Sequence, residues 1–261
     1  MRPSQPIGIF DSGMGGLTVA HAVHRLLPNE HLIYFGDTKH LPYGDKSSEA
    51  IQQYSFNIVT YLLSSGCKAI VIACNSASTA AGDFLHQRFG HLIPIINVVD
   101  PLVQKVHEMG FRKVGLIATK ATTQSGVYQR ALEEQVAVHA KATPLLVPMI
   151  EEGFTRNHIS KAIIEEYLLQ PEFKDIDALL LACTHYPLIR SIVEEYLPGV
   201  HVLDSTEVTA KALHKTLQET GLLCQKREQE NEFLISDYTE TFDQQAQIFF
   251  GQDIDLRTLS L

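Results

Sequence analysis

The 261-residue chain has no tryptophan, only four cysteines and no long apolar run. Its longest aliphatic stretches, Ala69–Cys74 and Ala178–Cys183, fall far short of the ~20 residues that cross a bilayer, so no membrane partner is expected. Met1 to Pro6 is polar and leads straight into Ile7-Gly8-Ile9-Phe10, without the charged and apolar regions of a secretory leader. A cytoplasmic chain is expected. Four cysteines in that setting are free, catalytic or metal-bound sooner than a disulfide framework. Basic residues are also in deficit: 21 Lys plus Arg against 30 Asp plus Glu leave a net charge of −9. That argues against sequence-independent binding of nucleic acid or of an anionic membrane, but not against a small anionic substrate. There is no H-E-x-x-H and no C-x-x-C, which weighs against a metal site.

What remains is a globular composition, 45% hydrophobic and 20% charged, which excludes disorder. The length allows one large domain or two moderate ones. Short apolar runs alternate with helical patterns. Strands are expected at Ile7–Phe10, His31–Gly36, Ala69–Ala73, Leu92–Val99, Lys113–Ala118, Pro144–Val147, Ala178–Ala182, Val200–Leu203 and Phe233–Ser236. Helices are expected at Leu17–Leu27, Glu49–Leu63, Ala77–Arg88, Gln124–Gln135, Ile159–Leu169, Pro187–Tyr196, Val208–Thr220 and Glu240–Phe250. This alternation predicts an α/β fold with mainly parallel sheets and helices on both faces.

An internal repeat stands out. Val71-Ile72-Ala73-Cys74-Asn75-Ser76 resembles Leu180-Leu181-Ala182-Cys183-Thr184-His185 at an offset of 109. Gly8-Ile9-Phe10-Asp11-Ser12 resembles Gly115-Leu116-Ile117-Ala118-Thr119 at an offset of 107. Two matches at nearly one offset suggest a duplicated unit. In each unit a strand then ends in Ala-Cys, where function gathers in open parallel sheets. Asn75 and Ser76 are N-cap types, and Pro187 suits a first helical turn. A thiol at a helix start meets unpaired N–H groups that favour the thiolate, so both cysteines are expected to be reactive. Either cysteine alone is as readily a buried strand end. The matched pair favours chemistry. Two facing thiols suit inversion of a stereocentre, where one group removes a proton and the other returns one to the opposite face.

The neighbours can be read in the same terms. Asp11, Glu151, Glu152 and His185 could relay protons or set the charge of a thiol. Ser12, Asn75, Ser76, Thr119, Thr122 and Thr184 are neutral donors near strand ends, suited to carboxylate recognition, though any one of them is more commonly a cap. Tyr43-Gly44 lies in a Pro42 turn. Rival readings are weaker. Gly13-x-Gly15 imitates a dinucleotide loop, but Thr18 stands where its third glycine belongs and Asp11 would face a pyrophosphate. Cys183 and His185 with an acid could ligate a metal. A non-catalytic cleft protein would need no paired thiols.

Together, Asp11-Ser12-Gly13-x-Gly15-Gly16, Pro42-Tyr43-Gly44, Ala73-Cys74-Asn75-Ser76-Ala77-Ser78 and Cys183-Thr184-His185-Tyr186-Pro187-Leu188 closely resemble the glutamate racemase family, within the cofactor-independent aspartate/glutamate racemase superfamily. The resemblance runs from residue 7 to about 250, with all four blocks in order. It implies two pseudo-symmetric, doubly wound α/β domains with the site in the cleft between them. The expected division is residues 1–97 plus 207–261 and residues 98–206. It implies interconversion of L- and D-glutamate, supplying D-glutamate for bacterial peptidoglycan, with no pyridoxal phosphate, metal or nucleotide cofactor. Family members are often dimers, so a homodimer is the implied assembly. Carried over, Cys74 acts on the D-enantiomer and Cys183 on the L-enantiomer. Asp11 supports Cys74, while Glu152 and His185 assist Cys183. Asp11, Ser12, Tyr43, Gly44, Asn75, Ser76, Thr184 and His185 contact substrate, with Thr119 and Thr122 as additional contacts. Ser76 departs from the usual Thr but keeps the hydroxyl. His185 favours glutamate over aspartate-type relatives, which tend to have an acidic residue there. Cys67 and Cys224 fall outside the motif.

Overall fold

The computed structural model describes residues 1–261. In chain order the first elements are β1 (Ile7–Asp11), α1 (Leu17–Leu26), β2 (Leu32–Gly36), α2 (Ser48–Ser64), β3 (Ala69–Ile72), α3 (Asn75–Phe89), β4 (Ile95–Asn97) and α4 (Val99–Met109). There follow β5 (Lys113–Ala118), α5 (Lys120–Ser125), α6 (Val127–Leu132), β6 (Ala137–Ala142), α7 (Leu146–Glu151), α8 (His158–Leu168) and β7 (Ala178–Ala182). The chain ends with α9 (Arg190–Tyr196), β8 (His201–Asp204), α10 (Thr206–Glu219), β9 (Glu232–Ile235), α11 (Glu240–Phe250) and β10 (Leu256–Thr258). No helix is long and apolar enough to cross a membrane.

The strands form two wholly parallel sheets, ordered β10-β9-β2-β1-β3-β4 and β6-β5-β7-β8. Four strands in each share one winding: β2-β1-β3-β4 in the first, β6-β5-β7-β8 in the second. The sequence repeat is therefore a structural one, with β5 standing for β1 and β7 for β3. In each sheet the chain reverses its direction of travel between the paired central strands, β1 beside β3 and β5 beside β7. A crevice opens at such a switch point, beyond the carboxyl ends of the strands. Asp11 and Cys74 flank the first crevice, Thr119 and Cys183 the second. The central strands are buried along nearly their whole length. This explains their unbroken aliphatic runs, since both faces are covered by helices.

The sequence misplaces some elements. Pro144–Val147 is no strand: β6 lies at Ala137–Ala142, and Leu146 opens a helix. As an edge strand, β6 is only partly buried and interleaves His139 and Lys141 with alanine and valine, so it lacks the apolar run of a central strand. Leu92–Val99 shrinks to β4, because Asn97 Oδ1 accepts the Val99 and Asp100 N–H groups at 2.8 and 2.9 Å and starts a helix. Pro101 then occupies the first turn of α4, where its missing N–H costs nothing. Gln124–Gln135 divides into α5 and α6 at Gly126, whose φ of +64° is left-handed.

A fully buried ion pair ties together the segments that lead into β2 and β3. Lys68 Nζ donates to Glu30 Oε2 and to the Pro3 carbonyl, and Glu30 Oε1 accepts the Cys224 N–H at 2.8 Å. Glu30→Ala should cost about 3–5 kcal/mol in urea unfolding, because it strands the lysine charge. The double variant Glu30→Ala/Lys68→Met should recover part of that loss. A single variant as stable as the parent would show that the ammonium finds another partner.

Candidate active site

The cleft beyond the strand ends holds a cavity of about 240 Å³. The loop after β1 contributes Ser12 and Gly13, and the turn after β2 contributes Tyr43, Gly44 and Asp45. Cys74, Asn75 and Ser76 follow β3, and Thr119 and Lys120 follow β5. Thr143 follows β6, Glu151 ends α7, and Cys183, Thr184 and His185 follow β7. Both sheets therefore supply walls to one cavity, and each supplies one cysteine. Cys67 and Cys224 stand outside it.

Glycine allows the two halves to meet. A Cβ on Gly15 would lie 2.4 Å from His185 Nδ1 and 2.5 Å from Thr184 Oγ1. On Gly16 it would lie 2.4 Å from Asp11 Cβ. Gly15 thus serves close packing against the Cys183 turn, and Gly16 close packing against the ends of β1 and β3. Thr18 reinforces the contact, its Oγ1 donating to the Thr184 carbonyl at 3.0 Å. Across the cleft Ser76 Oγ lies 2.9 Å from Thr119 Oγ1, and Lys120 approaches Asp45.

Cys74 itself is the N-cap of α3, its Sγ accepting the Ala77 N–H at 3.4 Å. Asn75 and Ser76 are the first helical residues, not caps. The thiol also lies 3.7 Å from Ser12 Oγ. The expectation of an acidic thiol fails here. Burial, followed by the negative charge of Asp11, pushes the Cys74 thiol up to about 12, and the Ala77 and Ser12 contacts oppose this only in part. Cys74 therefore rests protonated. Asp11 is fully buried beneath the loop and does not reach the cavity wall. Its Oδ2 accepts the Gly13 N–H at 3.0 Å, while Oδ1 has no partner. Burial raises the Asp11 carboxyl, and the nearby His185 charge works against that rise.

The Cys183 side is arranged differently. His185 Nδ1 lies 3.9 Å from Cys183 Sγ and Nε2 lies 2.9 Å from Glu151 Oε1. Burial alone would lower the imidazole. The hydrogen bonds to Cys183 and Glu151, with their charges, outweigh it and push His185 up to about 10. The ring edge meets Phe249 of α11, with centroids 4.9 Å apart. Glu152, expected beside Cys183, is exposed and lines no part of the cavity. The reason is helical: one step along α7 turns a side chain by about 100°, so only one of the two neighbours can face the cleft.

Other expected contacts are redistributed. Tyr43 lines the cavity, but its hydroxyl is already engaged, donating to Asp37 Oδ2 at 2.6 Å. Thr122 is buried behind Thr119, at 3.2 Å between the hydroxyls, and does not line the cavity. Asn75 Oδ1 accepts the Tyr128 hydroxyl at 2.7 Å, leaving Nδ2 buried and unpartnered. Sequence reasoning missed Lys120, Thr143, Tyr128 and Asp37. Thr143 could have been found from its place after a strand, once β6 is correctly located. No three His, Cys, Asp or Glu side chains converge to hold a metal ion.

Comparison with known proteins gives a consistent picture. The sequence matches the Asp/Glu/Hydantoin racemase family over residues 14–213. It is 45% identical over 221 residues to a glutamate racemase of Thermus thermophilus, covering 85% of this chain and 83% of that one. The fold is similar to that of a Thermus thermophilus glutamate racemase solved in complex with beta-chloro-D-alanine. There the TM-score is 0.92 at 41% identity, covering 100% of this chain and 99% of that one. A Francisella tularensis glutamate racemase in complex with D-glutamate gives a TM-score of 0.92 at 35% identity, covering 99% and 98%.

The charge on His185 has a pH signature. Its folded pKa, about 10 against an ordinary 6.5, means that the folded protein holds this proton more tightly. The associated stability is fully present below about pH 6.5 and is lost as pH rises toward 10. Cys67 and Cys74, raised from 9 to about 12, contribute only above that start. Between pH 6.5 and 9 the unfolding free energy should therefore fall in the parent and be flatter in His185→Asn. Nitrogen NMR of histidine-labelled protein should show one imidazole still doubly protonated at pH 8. A neutral tautomer there would refute the assignment.

Proposed function

Since the chain belongs to the Asp/Glu/Hydantoin racemase family, we propose that it interconverts L- and D-glutamate by a two-thiol mechanism without a cofactor. The observation that carries this reading is that Cys74 and Cys183, at equivalent strand ends of two sheets with one winding, line the same cavity. A racemase needs one acid and one base on opposite faces of Cα. A duplicated fold closed on itself supplies such a pair. The first domain is residues 1–97 with 207–261, and the second is residues 98–206.

In the direction from L to D, the Cys183 thiolate takes the Cα proton. A new S–H bond forms there, and the C–H electron pair moves into the adjacent carboxylate. The Cys74 thiol then gives its proton to the opposite face and is left as the thiolate. The reverse direction begins from that thiolate. Proximity replaces the bimolecular encounter, and matched general acid and base lower the barrier to carbanion formation. The Asn75 Nδ2 donor, the hydroxyls of Ser12, Ser76, Thr119 and Thr184, and backbone N–H groups hold the carboxylates and stabilise the charge that develops on one of them. His185, held between Cys183 and Glu151, supplies positive charge beside the base. Asp11 sits behind Cys74, where its charge favours the protonated thiol that gives up its proton in this direction. Glu151, rather than Glu152, is the carboxylate that serves His185. The product D-glutamate would feed bacterial peptidoglycan in the cytoplasm, and a homodimer is the assembly we expect.

The direct test is purified protein with D-glutamate in heavy water and nothing added. Optical rotation should decay to zero while deuterium appears at Cα, because enantiomers equilibrate at unity. No decay and no exchange in folded protein would remove this activity. Cys74→Ser and Cys183→Ser should each lower turnover by at least roughly 10²–10⁴-fold, since an alcohol is a poor acid and base here. Near-parental turnover in either variant would sink the two-thiol mechanism. Chelator should leave the parental rate unchanged, and a loss restored by zinc would point to a metal instead.

A further inference from the structure

Asn75 has one amide end in use and one free. Its Oδ1 accepts the Tyr128 hydroxyl at 2.7 Å, while Nδ2 is buried without a partner in a residue that lines the cavity. Tyr128 belongs to α6, which packs with the second sheet, whereas Asn75 opens α3 after β3 of the first. The tyrosine is fully buried and does not itself line the cavity.

A carboxamide has nearly the same shape when turned by 180°, but the turn exchanges its donors and its acceptor. Only hydrogen bonding decides which end faces the cleft. Turned, the amide nitrogen would meet Tyr128 Oη, the phenol proton would lose its acceptor, and Oδ1 would face the ligand. Nδ2 could then donate to the phenol oxygen, but the phenol proton would have no acceptor, Oδ1 would have no donor, and that oxygen would repel a carboxylate. The phenol is a donor at every working pH, because burial and then the charges of Asp100 and Cys183 push its ionisation upward.

We infer that Tyr128 is a positioning residue for this reaction: from the opposite half of the molecule it fixes the Asn75 amide with its N–H toward the substrate carboxylate. The inference rests on the reading of the cleft as a glutamate site. It also makes substrate affinity depend on the two halves being closed on one another, since the donor on one wall is aimed by a hydroxyl from the other.

The test is steady-state racemisation of D-glutamate followed by optical rotation, with folding checked by circular dichroism. Tyr128→Phe removes one oxygen and should raise KM roughly 5–30-fold, with a much smaller change in kcat. Asn75→Ala should raise KM similarly. Adding Tyr128→Phe to it should change little, because the two act as one unit. Asn75→Asp keeps an acceptor for Tyr128 but turns an oxygen to the cleft, so its KM should exceed that of Asn75→Ala. A parental KM in folded Tyr128→Phe, or effects that multiply in the double variant, would overturn the inference. If Tyr128→Phe does not fold, the Asn75 pair decides, and Asp no worse than Ala overturns it. Parental protein that leaves glutamate untouched would remove the racemase reading and this inference together. An indifferent Tyr128→Phe beside active parental protein would remove the inference alone.

Discussion

The contact between the glycine loop after β1 and the Cys183–His185 turn after β7 is the constraint on which the site depends. At Gly15 even a methyl group would overlap the His185 ring and the Thr184 hydroxyl. Two sheets that each open a crevice at their own switch point would otherwise make two shallow half-sites. Pressed together at this point, they enclose one cavity. The Thr18 bond to the Thr184 carbonyl and the Ser76–Thr119 hydroxyl pair keep the seam polar and directional. A seam built from small residues and hydroxyls can hold register without the tight apolar packing that would fill the cleft.

Symmetry of fold does not carry over into symmetry of charge. Cys74 caps the start of α3, yet burial and then Asp11 push its thiol up. The partner thiol stands beside an imidazole that Glu151 and Cys183 keep charged. The two thiols therefore stand in different electrostatic surroundings. The duplicated strands supply the two positions, and the residues around them supply the difference. Asp11 has no counterpart in the second repeat, where Ala118 occupies its place in the sequence match. His185 has none in the first, where Ser76 stands at the matching position. Asymmetric support on a symmetric frame gives two chemically identical groups different surroundings.

Much of this was legible in the sequence because central parallel strands announce themselves. β1, β3, β5 and β7 are buried on both faces, so their aliphatic runs were unmistakable and the residues just after them could be named. Elements at the edges carried weaker signals. β6 interleaves polar side chains and lacks the apolar run of the stretch that follows it, and β10 is only three residues long. Glu151 and Glu152 could not be separated, since adjacent carboxylates differ only in the helical direction they face. The capping role fell to Cys74 rather than to the better capping residues beside it, because the strand ends one residue sooner than the run of apolar letters suggests. Tyr128 was invisible for another reason: nothing in a lone tyrosine within a helical pattern points to an asparagine 53 residues earlier. Such pairings exist only once two halves of a chain are folded against each other.

The burial that the two-sided cleft imposes favours sulfur over oxygen at positions 74 and 183. A neutral thiol is nearly apolar and sits in a water-poor wall at little cost, whereas a resting carboxylate there would need full hydrogen-bonding compensation. Asp11 illustrates the alternative, with one oxygen satisfied by a backbone N–H and the other left without a partner. In so buried a wall a protonated sulfur needs less compensation than an ionised oxygen would. A group able to meet charge already stands beside each sulfur: the Ala77 N–H at the start of α3 for Cys74, and the imidazole of His185 for Cys183.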